Sequence, residues 1–237
     1  MRLRKKHYAI PEMQASPHAI TSMEEKDLEW HDYFTAPDQP LSIELGTGRG
    51  RFLVEMATKH PDRNYLGIDI EANAAILAKR AIHDRALKNT LLLIHDITRL
   101  EGIFPKNFCD QLFIHFPNPW PKKRHFKRRL THPRQLVQYH TFLKDDAKLY
   151  FKTDDPSLYE ATMAYLPRFG FAIDFHTEDL TVEQNFHGII TEYEEKWRGQ
   201  GIKIKAIQAT KNNVSPQELE ERLKVFLEEE KSYTRRD

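Results

Sequence analysis

Between Phe116 and Arg129 the chain reads FPNPWPKKRHFKRR. Pro117, Pro119 and Pro121 restrict the backbone, and Trp120 and Phe126 offer stacking faces. Six of the eight residues from Lys122 to Arg129 are Lys or Arg, the side chains that neutralise phosphates. The combination points to a loop that docks nucleic acid; a solvated basic face is the plainer reading of the charge alone. Some seventy residues upstream, Glu44-Leu45-Gly46-Thr47-Gly48-Arg49-Gly50 stands where an apolar run gives way to an amphipathic one. Glycines at such a junction permit a tight turn and close approach of a ligand to the backbone. The spacing is GxGxG, with Arg51 where the GxGxxG fingerprint would place its third glycine, so pyrophosphate packing is less well served.

Two further acids strengthen the reading of Gly46 and Gly48 as a cofactor loop. Asp69 follows about 20 residues after the glycines, where a carboxylate accepts bonds from ribose hydroxyls, and Asp96 follows His95, placed to accept from an adenine amino group. With Glu44, three carboxylates stand at the ends of successive apolar runs. A ring of acids repels phosphates and suits a cationic cofactor, which favours the sulfonium and amino group of S-adenosylmethionine over NAD. For each acid taken singly, a helix N-cap or loop role is the alternative.

These groups need a scaffold, and the hydrophobic pattern supplies one. Short apolar runs predict strands at Leu41–Leu45, Tyr65–Ile70, Thr90–His95, Gln111–Phe116, Lys148–Thr153, Phe171–Phe175 and near Ile202–Ala209. Helical spacing predicts Arg51–Lys59, Ala72–Leu87, Pro133–Leu143 and Ser157–Arg168 between them. Alternation of this kind is the signature of βα units around a mostly parallel sheet, an α/β fold. Before Leu41 the chain reads as a polar arm and linker in which Arg2, Arg4, Lys5 and Lys6 either fray or contact RNA. From Ser215 onward, Pro216, Glu218 and the apolar Leu219, Leu223 and Phe226 predict a capped, charged surface helix, docked or detached.

Composition sets the class. With 237 residues, 40% of them hydrophobic, the chain can bury one sizeable core. The formal net charge is only +1, and the 36 Lys/Arg, less the six of the loop, face 35 Asp/Glu, so the basic charge is local. One cysteine, Cys109, excludes an intrachain disulfide and reads as an inert core thiol in a reducing compartment. The start MRLRKKHYAIPEM lacks the apolar core of a signal peptide, and no apolar run approaches the ~20 residues that span a bilayer. A cytoplasmic protein is expected. The twelve histidines show no paired ligand spacing, so no metal is expected.

Taken together, ELGTGRG, LGIDI, HDI, FPNPWPKKRH, FKTDD and TEYEEKW resemble the bacterial tRNA (guanine-N7)-methyltransferase family, from Leu41 to about Ala209. The resemblance implies a Rossmann-like class I methyltransferase with seven strands, the last antiparallel, and helices on both faces. It implies S-adenosylmethionine as cofactor, guanine 46 in the variable loop of tRNA as target, and a monomer or homodimer. On that basis residues 1–40 form the arm and linker, 41–210 the methyltransferase domain and 211–237 the charged helix. Cofactor binding falls to Glu44, Asp69, Asp96 and Asn118. Substrate binding falls to Lys122, Asp154, Thr191, Glu192, Tyr193 and Glu194, and Arg124 and His125 belong to the same basic motif.

One match departs from the family pattern, in which FPDPWPK places Asp where this chain has Asn118. Methyl transfer passes the positive charge of the sulfonium to the purine ring, and a carboxylate nearby would stabilise it. Asn keeps an acceptor oxygen and loses the charge. Asp154 is suited to accept from guanine N1–H and the N2 amino group, with an N-cap role for Asp154 or Asp155 as the alternative. Trp120 either stacks on a splayed base or packs beneath the loop. Two rival activities remain: an amino-group methyltransferase using Asn118-Pro119-Trp120, and a tRNA-binding protein with weak catalysis. An NAD-linked dehydrogenase would leave the basic loop without a purpose.

Overall fold

The computed structural model describes residues 7–21 and 30–234. They form two compact units, one built from the described residues up to Arg99 with Thr181–Lys196, the other from Leu100–Leu180 with the described residues after Lys196. In the first unit the chain runs α1 (Ala9–Gln14), β1 (Ala19–Ile20), β2 (Leu41–Leu45), α2 (Arg51–Lys59), β3 (Asn64–Asp69), α3 (Ala72–Asp84) and β4 (Thr90–Ile94). All four strands are parallel, in the order β1-β4-β3-β2. Every residue of β2 is buried, as are the first five of β3, so even the alternating Leu41-Ser42-Ile43-Glu44-Leu45 of β2 turns neither face to solvent. Helices α2 and α3 bury Phe52, Leu53, Met56, Ile76 and Ile82.

The segment before Leu41 departs from the expected polar linker. Ala9 and Met13 of α1 are buried, and β1 adds an eighth strand, with Ala19 opposite Leu92 and Ile20 opposite Leu93. Glu12 fastens α1 to α3: it accepts from Arg80 at 2.7 and 2.9 Å and from Lys79 at 3.0 Å. Those two cations, Arg80 foremost, bring its carboxyl down to about 2. The arm residues Arg2, Arg4, Lys5 and Lys6 lie outside the described residues.

The second unit contains β5 (Cys109–His115), α4 (Pro133–Phe142), β6 (Leu143–Thr153), α5 (Pro156–Arg168) and β7 (Phe171–Thr177). After α6 (Glu192–Arg198), β8 (Lys205–Lys211) and α7 (Pro216–Thr234) complete it. Its strand order is β5-β6-β8-β7, with β5 parallel to β6 and β8 antiparallel to both its neighbours, as expected for the last strand. Cys109 is buried in β5. Helix α7 is docked: Leu219 is buried, and the Phe226 ring meets His132, Tyr165 and Phe169 edge-on at 5.3 to 5.8 Å. The cap expected at Ser215 forms, its Oγ accepting from Glu218 N–H at 3.2 Å. His132 Nδ1 accepts from Arg134 N–H, so Nε2 carries the proton it donates to Glu230 of α7 at 3.3 Å.

Candidate active site

In the first unit the glycine loop leaves β2 and is stapled to the end of β3. Gly46 and Thr47 N–H both donate to Ile68 O, at 2.8 and 3.2 Å, and Gly50 N–H donates to Thr47 O at 2.8 Å. Gly50 has a φ of 80°, and a Cβ there would lie 2.3 Å from Ala78 Cβ, so this glycine lets α2 pack directly on α3. Close helix packing is thus served by Gly50, one position earlier than GxGxxG would place it. A Cβ on Gly46 would meet nothing within 4 Å, which leaves that face of the loop open.

Asp69 Oδ2 accepts from Gly48 N–H at 2.7 Å and Oδ1 from Glu71 N–H at 2.8 Å. Burial raises its pKa against the pull of those bonds. Backbone N–H groups of Glu71, Gly48 and Ile70 hold the carboxylate in place, and its remaining acceptor capacity faces a ribose hydroxyl's donor need. Glu44 is buried and accepts from Thr47 Oγ1 at 2.5 Å. Asp96 Oδ1 caps the 3-10 turn Ile97–Arg99, accepting from Thr98 N–H at 2.9 Å and Thr98 Oγ1 at 2.8 Å, while Oδ2 lies 3.8 Å from Arg99 Nε. The three acids therefore do local work, and all three stand at the carboxyl ends of adjacent parallel strands, where α/β sheets bind ligands. An open glycine face ringed by carboxylates fits a cationic adenosyl sulfonium.

The proline-rich loop belongs to the second unit and follows β5. Phe116 and Trp120, with φ of 50° and 44°, hold left-handed conformations within it. Such strain in non-glycine residues persists where the surroundings over-determine it, and clusters at functional sites. The exposed Asn118 accepts from Trp120 N–H at 3.0 Å through Oδ1. An Asp would make the same bond, so the substitution keeps the turn and removes only the charge. Trp120 is half-buried within its own loop, neither core nor free platform: His125 meets it edge-on at 5.6 Å and the Arg128 guanidinium lies 5.1 Å over its ring. Partial desolvation, then Arg124, Arg128 and Lys122, lower the His125 pKa.

One part of the expected phosphate patch is corrected. Lys122, Lys123, Arg124, Lys127 and Arg128 are exposed, whereas Arg129 is only 1% exposed. Arg129 Nε donates to Pro119 O at 2.8 Å, Nη2 to Ser157 Oγ at 3.4 Å, and the guanidinium covers Phe126 at 3.8 Å. It is a strut that holds the loop's backbone, and packing on Phe126 is what draws it out of the basic run. At the end of β6 the two aspartates separate by role. Asp155 Oδ1 caps α5 through Leu158 N–H at 2.7 Å, and Asp154, half-exposed, makes no hydrogen bond or ion pair among the described residues.

The segment Thr191 to Glu194 starts α6, in the first unit. Thr191 Oγ1 accepts from Glu194 N–H at 3.1 Å, and Glu194, fully buried, accepts from Asn185 Nδ2 at 3.3 Å. Asn185 Nδ2 also donates to Ile189 O at 2.9 Å, so Glu194 anchors the preceding turn. Tyr193 is 42% exposed. Glu192 meets Arg49 of the glycine loop at 3.3 Å, and Glu195 takes Arg51 in a fork of 2.7 and 2.9 Å. The motif reading missed Arg49, Arg51 and Glu195, whose partners are more than a hundred residues away in the chain. Among the described residues no group of three or more His, Cys, Asp or Glu could hold a metal ion, and no helix is long and apolar enough to cross a membrane.

Residues 38–207 match the family model Methyltransf_4, a methyltransferase family. The chain is 39% identical over 218 residues to a tRNA (guanine-N(7)-)-methyltransferase of Clostridium perfringens, covering 89% of this chain and 100% of that protein. It is 40% identical to the protein of the same description from Clostridium acetobutylicum, across 88% of this chain and 99% of that one. Among solved structures, the 16S rRNA methyltransferase KamB superposes with a TM-score of 0.62 at 16% identity, covering 80% of this chain and 95% of that one. That likeness establishes a Rossmann-like methyltransferase fold. A family match over most of the chain, joined to near 40% identity along whole relatives, makes this chain a member of the tRNA (guanine-N7)-methyltransferase family.

Proposed function

We propose that this chain transfers the methyl group of S-adenosylmethionine to N7 of a guanine in tRNA, at position 46 of the variable loop, acting in the cytoplasm as a monomer or homodimer. The observation that carries the reading is the strained, proline-bounded loop whose five exposed Lys/Arg accompany, within the same unit, the Asp154 carboxylate, which has no partner among the described residues. Polyanion binding and one committed hydrogen-bond acceptor are what docking a guanine nucleotide requires.

The cofactor supplies an electrophilic methyl group on a sulfonium. Asp69 would accept from its ribose hydroxyls and Asp96 from its adenine amino group, while Glu44 holds the glycine loop through Thr47. Guanine N7 carries a free lone pair at neutral pH, so the protein need not remove a proton and positioning dominates the chemistry. Asp154 would take N1–H and the N2 amino group, and Lys122, Arg124 and their neighbours would hold flanking phosphates. Thr191 and Tyr193 remain candidates for the nucleotide, and buried Glu194 supports them as an anchor.

The direct test incubates the protein with labelled S-adenosylmethionine and unmodified tRNA, with and without guanine-to-adenine at position 46. Label on guanine N7 that disappears in the altered transcript is the expected result. Label on an exocyclic amino group would favour the amino-group reading, and intact binding of both partners without label the binding-only one. Asn118→Asp is expected to raise the single-turnover rate about tenfold, because a carboxylate restores stabilisation of the charge arriving on the purine. Since the Asp keeps the bond to Trp120 N–H, tRNA affinity should stay within twofold. A slower single turnover in that variant would sink this account of position 118.

A further inference from the structure

Two arginines of the glycine loop are tied to α6 with unequal strength. Arg51 holds Glu195 through two bonds of 2.7 and 2.9 Å, and that fork raises the pKa of Arg51 and lowers that of Glu195. Arg49 reaches Glu192 through a single contact of 3.3 Å, with side chains 59% and 54% exposed. A forked arginine-carboxylate pair fixes geometry, whereas a single exposed contact is weak and exchanges readily. The loop therefore has one committed cation and one loosely held.

Arg49 is exposed and lies between Gly48 and Gly50, three residues after Gly46, where an added Cβ would meet no atom within 4 Å. The proposed cofactor is a zwitterion at its amino-acid end. Its α-carboxylate would arrive at an edge lined by Glu44, Asp69 and Asp96, all of which repel it. From Glu44 to Arg51 the only cations are Arg49 and Arg51, and Arg51 is occupied by Glu195. We propose that Arg49 exchanges Glu192 for the cofactor's α-carboxylate, and that this exchange releases Glu192, at the first turn of α6, to accept hydrogen bonds from the incoming nucleotide. The Arg51–Glu195 fork keeps α6 in place during the exchange. The proposal rests on the functional reading above and adds an order to it: cofactor binding prepares the recognition segment, so tRNA engages second.

The test is calorimetric titration of S-adenosylmethionine, and of its decarboxylated form, into the wild type, Glu192→Gln, Arg49→Gln and the double variant. Both residues are exposed, so the variants should melt as the wild type does. Removing the competitor in Glu192→Gln is expected to tighten S-adenosylmethionine about threefold, the scale of an exposed ion pair, and to leave the decarboxylated form unchanged. Arg49→Gln should weaken S-adenosylmethionine about fivefold without affecting the decarboxylated form. The double variant should match Arg49→Gln alone, since the competitor matters only while Arg49 is present. Hydrogen exchange at residues 191–195 should quicken when S-adenosylmethionine binds the wild type, and not when the decarboxylated form binds. Unchanged S-adenosylmethionine affinity in Glu192→Gln, or equal shifts for both ligands, would overturn the exchange while leaving the cofactor reading intact. A wild type that binds neither form would overturn both.

Discussion

Replacing Asp154 by Asn is expected to lower kcat/KM for tRNA by about a hundredfold or more while leaving thermal stability unchanged. The side chain has no partner among the described residues, so the fold loses nothing when its charge goes. In the complex it would accept two hydrogen bonds from guanine, and bonds to a charged group contribute about 1.5–3 kcal/mol each. Asn offers one acceptor oxygen and turns an N–H donor toward the guanine donors, so at least one bond is lost and one donor pair is opposed. Sites built to pair a particular substrate group discriminate steeply when the pairing fails. Asp155→Ala is the matched control, since its side chain caps α5 and should cost about 1 kcal/mol of stability with little change in turnover. Steady-state kinetics with thermal melts of both variants decide the matter. If Asp154→Asn kept kcat/KM within threefold of the wild type, the acceptor role would belong elsewhere.

Gly50→Ala should produce the largest loss of stability in the cofactor half, about 3 kcal/mol by urea unfolding. The added methyl would lie 2.3 Å from Ala78 Cβ and 2.9 Å from Ala78 Cα, and φ is 80°. Neither obstacle is a flexible side-chain end, so α2 or α3 must shift, and overpacking of this kind adds to left-handed strain. Shifting α2 also carries the loop away from Asp69, which holds it through Gly48, so cofactor affinity should fall with stability. Gly46→Ala separates the two effects: its Cβ meets no protein atom, leaving only strain of about 1 kcal/mol and any obstruction of ligand. A wild-type urea midpoint for Gly50→Ala would show that the helices yield more easily than their contact distance implies.

Much of this organisation was legible in the residue pattern, for reasons that also mark its limits. Strand β2 and helix α2 match their predicted bounds because the alternation of Leu41, Ile43 and Leu45 with Ser42 and Glu44, and the strong helical period of α2, leave no competing reading. Strand β6 begins at Leu143 rather than Lys148, since its first residues include the exposed Asp145 and Asp146 and carry no apolar signal. Strand β1 is two residues long, too short for any periodicity to register. At the site, the glycine loop and its three acids were found from spacing, but which aspartate caps a helix depends on backbone direction that composition does not encode. Arg129 looked like its neighbours because a charge run shows sign and not packing. The ion pairs of Arg49 and Arg51 join segments whose proximity only the tertiary fold creates.

The division of the chain into units has a consequence for how the protein is made. Neither unit is a continuous stretch: the first recruits Thr181–Lys196, and the second is sealed by α7 near the end of the described chain. On the ribosome, Arg51 emerges 144 residues ahead of Glu195, and His132 emerges 98 residues ahead of Glu230. Through most of elongation the cofactor loop is therefore without its strap, and α4 and α5 are without the aromatic cover of Phe226. Contacts of such long sequence separation form late, so neither unit matures before α6 and α7 have been made. A nascent chain released before α6 and α7 were made would carry both the glycine loop and the basic loop, the first without its Glu195 strap and the second without the α7 cover over its unit.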